Sequence, residues 1–422
     1  MTNHADHDFA PGKVDRCQIT GSADLFEIID LGHQPPCAAM LSAEMLGQPE
    51  TAYPLRLMHC PQSGLAQLDY VVDPAVIFHP GYPYRSGISK PLEEYQRSFA
   101  DKVVRRFDLA APQLCVDVGS NDGTLLTGFK SHHLRTLGVE PTNIAAIARA
   151  ENGVETIEDF FTEAVARQIV ADYGQASLVT MTNVFAHIAA LGEVMRALGA
   201  LLHPKGVFIT ESQYLLDVLE KNQFDGIYHE HIRTYSLKSL VTLFSYYDME
   251  VFDVERGERY GGNIRAYVAW KGAQPVQRRV GELLALEEAM GLHGPEAWRG
   301  FRQRVSDNRD RFMQFAYQAK ASGIEVVGNS CPGRCSTMLN WYGVDTHLMP
   351  YIAELPASLK LGMFLPGMHI PVVNNARLFE QQPDFVVLLA WHYTDYMVKH
   401  LRGDGLRSKF VVALPEFTVL DE

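Results

Sequence analysis

From about Gln113 the chain alternates short β-branched runs with stretches of helical period, the signature of a parallel sheet assembled from βαβ units. The runs Leu114–Val118, Thr136–Val139, Leu178–Thr182 and Val207–Thr210 are expected strands. An amphipathic stretch over Val194–Leu202, stopped by His203-Pro204-Lys205-Gly206, is an expected helix between two of them. Further on, Val251–Val254 and Ile264–Val268 alternate apolar with polar positions around Gly261-Gly262, which suits an antiparallel addition to the sheet. A polar helical segment over Val276–Ala321, broken near Gly291–Pro295, is expected to bridge domains and lead into a strand at Ile324–Val327. Strand and helix patterns then resume, with Phe385–Ala390 and Phe410–Leu414 as strands, so a second α/β domain is expected. Residues before about 80 differ: turn signals punctuate short apolar runs such as Leu25–Leu31 ahead of Gly32 and Pro35-Pro36, as in a small β-rich lobe. The expected division is 1–80, 81–272 and 273–422, with no internal repeat or low-complexity tract.

Composition narrows the class. A chain of 422 residues at 47% hydrophobic content can bury several cores. Its 37 Lys and Arg against 50 Asp and Glu give a formal charge of -13, which opposes binding to a polyanionic backbone, so no nucleic-acid partner is expected. No stretch approaches the ~20 apolar residues of a membrane span and the start lacks a signal pattern, so a cytoplasmic protein without a membrane partner is expected. Six cysteines are too few for a disulfide scaffold at this length, and reduced thiols are the default.

The segment Cys115-Val116-Asp117-Val118-Gly119-Ser120-Asn121-Asp122-Gly123-Thr124 runs from an apolar strand through a glycine-containing loop into a helix start. Gly119 and Gly123 let backbone approach a ligand, at the strand-to-helix corner where open sheets bind cofactors. Asp117 and Asp122 set the ligand's charge: carboxylates repel a pyrophosphate but attract the ammonium and sulfonium of S-adenosylmethionine. Glu140, at the end of the next strand, stands where an acid accepts hydrogen bonds from a ribose. A dinucleotide site is the nearer rival, but the third glycine of G-x-G-x-x-G is missing.

With these residues in view, the chain resembles the sugar C-methyltransferases that act on nucleotide-linked 4-keto deoxysugars. The resemblance runs through Ile29–Pro36, Val116–Leu126, Asn183-Val184-Phe185-Ala186-His187-Ile188, Phe224-Asp225-Gly226-Ile227-Tyr228-His229-Glu230-His231 and Leu365–Pro371, and the Tyr-His-Glu-His run is its most specific piece. It implies an α/β fold in three parts: a small N-terminal zinc-binding lobe, a central Rossmann-like S-adenosylmethionine domain and a second Rossmann-like C-terminal domain, with a nucleotide-linked keto sugar bound between the larger two. The lobe departs from the family pattern of two Cys-x-x-Cys knuckles. Cys17 is followed by Gln18-Ile19-Thr20 and Cys60 by Pro61-Gln62-Ser63, and hydroxyls bind zinc poorly beside sulfur and imidazole. A lobe held by packing without its metal is therefore expected, and no metal ligands are assigned.

The resemblance also assigns roles. His231 matches the base that removes a proton beside the ketone, a task suited to a group with an unperturbed pKa of about 6.5. Glu230 is the companion carboxylate, and Tyr228 the hydroxyl for the keto or enolate oxygen. His187 matches an active-site histidine, and Tyr82, or Tyr84 two residues on, the tyrosine reaching in from the lobe. Ser120, Asn121 and Asn183 join the cofactor set. Tyr84, Arg85, Lys360 and His369 are candidates for the sugar-nucleotide cleft. Arg334, in the turn Val327-Gly328-Asn329-Ser330-Cys331-Pro332-Gly333-Arg334, adds a cation at a helix start suited to phosphate. The expected reaction is C-methylation, probably at C3, through an enolate. The rivals are O- or N-methyl transfer to a related sugar and non-catalytic binding of a sugar nucleotide; oligomeric state is left open.

Overall fold

The computed structural model describes residues 8–77, 85, 87 and 90–420. In the N-terminal lobe, β1 (Phe26–Gln34), β2 (Tyr53–His59) and β3 (Ala66–Leu68) pair antiparallel. Along β2, Leu55, Leu57 and His59 face inward and alternate with Arg56 and Met58, the period of a strand covered on one face.

Helix α1 (Lys90–Phe107) leads into a sheet of seven strands. Its parallel part is β4 (Leu114–Val118), β5 (Arg135–Val139), β6 (Thr156–Ile157), β7 (Ala176–Thr182) and β8 (Leu202–Gln213). Helices α2 (Thr124–Lys130), α3 (Glu163–Tyr173) and α4 (Leu191–Leu201) lie in the crossovers. All five residues of β4 are buried, as a strand covered on both faces requires. The expected stop at His203-Pro204-Lys205-Gly206 is instead an irregularity inside β8, where the register shifts between Leu202 and Val207. His203, Pro204 and Lys205 are exposed there, so the proline leaves no ladder bond unmade inside the sheet.

The short strand β9 (Arg233–Thr234) leaves this sheet and pairs with β3 of the lobe. Strands β10 (Met249–Gly257) and β11 (Asn263–Trp270) then close the central sheet antiparallel, giving the order β10-β11-β8-β7-β4-β5-β6.

The polar helical segment forms α5 (Arg278–Ala289) and α6 (Pro295–Ala321), broken where Gly291 takes φ +66°. Helix α6 touches all three parts of the chain. Arg302 donates to Glu27 O and Ile28 O at 2.9 and 3.0 Å, Arg304 to Leu219 O at 2.8 Å, and Asn308 to Ala413 O at 2.5 Å. Beyond it, β12 (Val326–Asn329), α7 (Gly333–Tyr342), β13 (Ile352–Glu354), β14 (Val372–Asn374), β15 (Phe385–Leu388), β16 (Lys409–Val412) and β17 (Thr418–Val419) build a second sheet. Its order is β14-β13-β12-β15-β16-β17, parallel except for β17. Both sheets therefore run third, second, first, fourth, fifth and then antiparallel, a repeat of topology absent from the residues. Among the described residues no helix is long and apolar enough to cross a membrane.

Candidate active site

A cavity of about 840 Å³ opens where the carboxyl ends of the two parallel sheets face each other. Brändén-type crevices at such sheet edges are where α/β folds take ligands. The central sheet contributes Asp117, Gly119, Ser120, Asn121, Glu140 and Asn183, and the second sheet Ser330, Cys331, Glu354 and Lys360.

On the central side, β4 turns at Gly119, whose φ of +67° and N–H bond to Val139 O at 2.8 Å shape the corner. A Cβ there would lie 2.4 Å from Val184 Cγ2, so glycine is required sterically as well as conformationally. Asn121 N donates to Glu140 Oε2 at 2.9 Å, while Glu140 Oε1 accepts from Thr142 N and Oγ1 at 3.0 and 2.7 Å. Asp117 accepts from Thr180 Oγ1 at 2.6 Å. Burial pushes its carboxyl up to about 7, against the Thr180 bond and with help from the Glu140 charge. Ser120 Oγ is buried with no hydrogen-bond partner among the described residues. A buried acid without a cation, an unmatched hydroxyl and a strand-end carboxylate fit an aminoacyl ribonucleoside such as S-adenosylmethionine. Asp117, Ser120, Asn121 and Glu140 are the residues that would hold it, with Asn183, at φ +58°, on the adjoining wall.

Two expected members of this loop point elsewhere. Asp122 is not on the cavity wall: Oδ1 accepts from Thr124 N and Oγ1, and Oδ2 from Gly87 N and Arg85 Nε. Its charge is spent on starting α2 and tying down Arg85, so Asp117 and Glu140 carry the cavity's acidity. Gly123, at φ +76°, caps α2 against Val154 and does not reach the cavity. Arg85 lines the cavity but is paired with Asp122 and Glu151. Tyr82 and Tyr84 lie outside the described residues.

The Tyr228–His231 run follows a 3-10 turn at Phe224–Gly226. His231 Nδ1 is 2.8 Å from Gly226 O; a carbonyl only accepts, so Nδ1 carries the hydrogen and Nε2 keeps a lone pair. That lone pair accepts the Tyr228 hydroxyl at 2.7 Å. Desolvation holds His231 down at about 4, the Gly226 bond opposing, so the ring is neutral near pH 7. His187 stacks obliquely on it, ring centres 4.9 Å apart, and is also kept neutral, by burial first and then by His231. The Tyr228 phenol is raised well above its usual range by burial and then by the Glu230 charge. Glu230 Oε1 accepts from Cys37 Sγ, 3.3 Å away in the lobe. His229 faces away and donates to Tyr53 O at 3.4 Å. Thus Tyr228, Glu230, His231 and His187 come together at the cavity, with Cys37 as a member that neither spacing nor resemblance pointed to.

On the far wall the structure corrects two expectations. Arg334 is held by Asp225 in a bidentate pair at 2.7 and 2.8 Å and by Tyr260 O at 2.8 Å, so it ties the second sheet to the central unit instead of standing free for phosphate. His369 is off the cavity wall and pairs with Glu50 at 3.2 Å. Lys360 is on the wall, its Nζ donating to Cys331 O at 2.6 Å.

In the lobe the four knuckle positions still meet: Cys17 Sγ lies 3.2 Å from Ser63 Oγ, and Thr20 Oγ1 3.8 Å from Cys60 Sγ. Two thiols and two hydroxyls do not fit the closed nitrogen and sulfur set of structural zinc. Among the described residues no three His, Cys, Asp or Glu side chains are grouped to hold a metal ion.

A parallel sheet with this acidic first corner defines a methyltransferase, and residues 92–254 match the family model described as a methyltransferase domain. Residues 258–415 match the C-methyltransferase C-terminal domain, and residues 17–78 a model for a zinc-binding domain. C-methyltransferase NovU of Streptomyces niveus is 32% identical over 412 residues, 96% of this chain and 97% of that protein. The chain belongs to this C-methyltransferase family and is an S-adenosylmethionine-dependent enzyme, which sets aside O- or N-methyl transfer and non-catalytic binding. A methyltransferase from Anabaena variabilis ATCC 29413 aligns over 45% of this chain and 97% of its own at 18% identity, with a TM-score of 0.32. The PH0226 protein of Pyrococcus horikoshii OT3 aligns over 44% and 95% at 13% identity, with a TM-score of 0.36. Neither alignment adds to the assignment, which rests on the whole-length relative.

Proposed function

We propose that the acceptor is a nucleotide-linked 4-keto deoxysugar, methylated at C3 through an enolate. The observation that carries this reading is the bare Nε2 of a neutral His231, held in its tautomer by Gly226 O and in contact with the Tyr228 hydroxyl. The ketone oxygen takes the Tyr228 O–H as its donor, which releases the Nε2 lone pair. His231 Nε2 then removes the proton from the neighbouring carbon, and the electron pair moves onto the oxygen as an enolate. Tyr228 remains a donor throughout because Glu230 keeps its phenol protonated. S-Adenosylmethionine, when bound, supplies a methyl group made electrophilic by a positively charged sulfur. Asp117 and Glu140 keep that side of the cavity acidic, so the two ligands meet with opposite charge.

The test is incubation of a panel of 4-keto deoxysugar nucleotides in deuterated water, with and without the methyl donor. Deuterium entering C3 without the donor, and a methyl group at C3 with it, are the expected results. Methylation of a panel member at another atom, or with no exchange at C3, would remove the enolate reading. Equal turnover of the free sugar would remove the nucleotide.

A further inference from the structure

The two sheets repeat more than their strand order. After β4, Gly119 at φ +67° donates to the carbonyl of Val139, the residue before Glu140, at 2.8 Å. After β12, Ser330, also at φ +67°, donates to the carbonyl of Ala353, the residue before Glu354, at 2.8 Å. In the first corner Glu140 Oε2 accepts from Asn121 N at 2.9 Å; in the second, Glu354 Oε2 accepts from Cys331 N at 2.7 Å. The other oxygen of each also takes a backbone N–H, from Thr142 at 3.0 Å and from Leu355 at 2.7 Å. Both carboxylates line the same cavity from opposite sheets.

A carboxylate has about four lone-pair sites, so two backbone bonds leave Glu354 room to accept further donors. At the end of the second strand of an α/β unit, the donors such an acid meets are the hydroxyls of a nucleoside pentose. Lys360, the nearby cation on this wall, is bonded to Cys331 O and leaves those sites open.

We propose that Glu354 holds the pentose of the acceptor's nucleotide, so that the cavity contains a second nucleoside subsite facing the one built on Glu140. The inference rests on the nucleotide-linked acceptor proposed above and adds the residue that recognises its nucleoside half.

Calorimetry on the full chain tests it with four probes: UDP, dTDP and the 2′,3′-dideoxy form of each, alongside S-adenosylhomocysteine. The wild type is expected to bind a hydroxyl-bearing diphosphate about tenfold or more tighter than its dideoxy form, the scale of a hydrogen bond to a charged acceptor. In Glu354→Gln that difference shrinks to little or nothing while S-adenosylhomocysteine affinity is unchanged; in Glu140→Gln the pattern reverses. Equal discrimination between hydroxyl-bearing and dideoxy probes in wild type and Glu354→Gln overturns the role of Glu354 and leaves the nucleotide acceptor standing. A wild type that does not discriminate overturns it without any variant. A wild type that binds S-adenosylhomocysteine but none of the four diphosphates overturns the nucleotide acceptor and this inference with it.

Discussion

Acidification separates His231 from an ordinary histidine base. A solvated imidazole with a pKa of about 6.5 is about nine-tenths protonated near pH 5.5, so a reaction that depends on it loses about tenfold between pH about 7.5 and 5.5. His231 is surrounded by protein and held at about 4, which leaves about 97% of it neutral near pH 5.5. The sign follows from the depressed value: the active form is the neutral one, so activity persists downward and falls only as pH approaches 4. The assay is kcat/KM for the acceptor across pH about 5 to 8 at saturating donor, because protonation of Asp117, whose carboxyl titrates near 7, weakens the donor site over the same range. Circular dichroism at each pH confirms that the chain is folded. The expected profile is flat to within about twofold down to pH about 5.5, and His231→Gln removes most of the rate. A tenfold fall with donor saturated would refute the reasoning, as would a His231→Gln enzyme with the parental rate.

Three further outcomes follow from the geometry. Affinity for S-adenosylhomocysteine, whose ammonium prefers an ionised Asp117, rises with pH through about 7 in the wild type and is flat in Asp117→Asn, as calorimetry at pH about 6 and 8 will read. The wild-type lobe holds no stoichiometric zinc, whereas Thr20→Cys with Ser63→Cys supplies four thiolates at positions that already meet, and elemental analysis shows about one zinc per chain with a higher Tm. Asp225→Asn strips the buried Arg334 of its bidentate partner and costs about 3 kcal/mol of stability in denaturant titration, while the isosteric swap leaves the core volume unchanged.

Features set by periodicity were legible in the residues. The buried run of β4, the antiparallel pair β10 and β11, and the helix break at Gly291 each express a local rule, and Glu140 stood at the spacing a ribose acid requires. What escaped depends on contacts between distant parts of the chain. Cys37 meets Glu230 across 193 positions and Asp225 meets Arg334 across 109, and no spacing rule links such pairs. Within the cofactor loop, composition placed acids near the ligand but not which carboxylate turned inward; Asp122 is claimed by the first N–H groups of α2 and by Arg85. The duplicated topology was invisible for a related reason. Gly119 and Ser330 meet the same demand for a positive φ with different side chains, so the two corners agree in backbone and not in letters.

Helix α6 extends for 27 residues, about 40 Å. Along that rod it donates to carbonyls of the lobe, the central unit and the closing strand region. A clamshell opening that parted the two sheets would strip those donors together, together with the Arg334 pair. Exchange of ligands therefore falls to loops at the cavity's rim, and the distance between the two facing corners is a fixed dimension of the molecule.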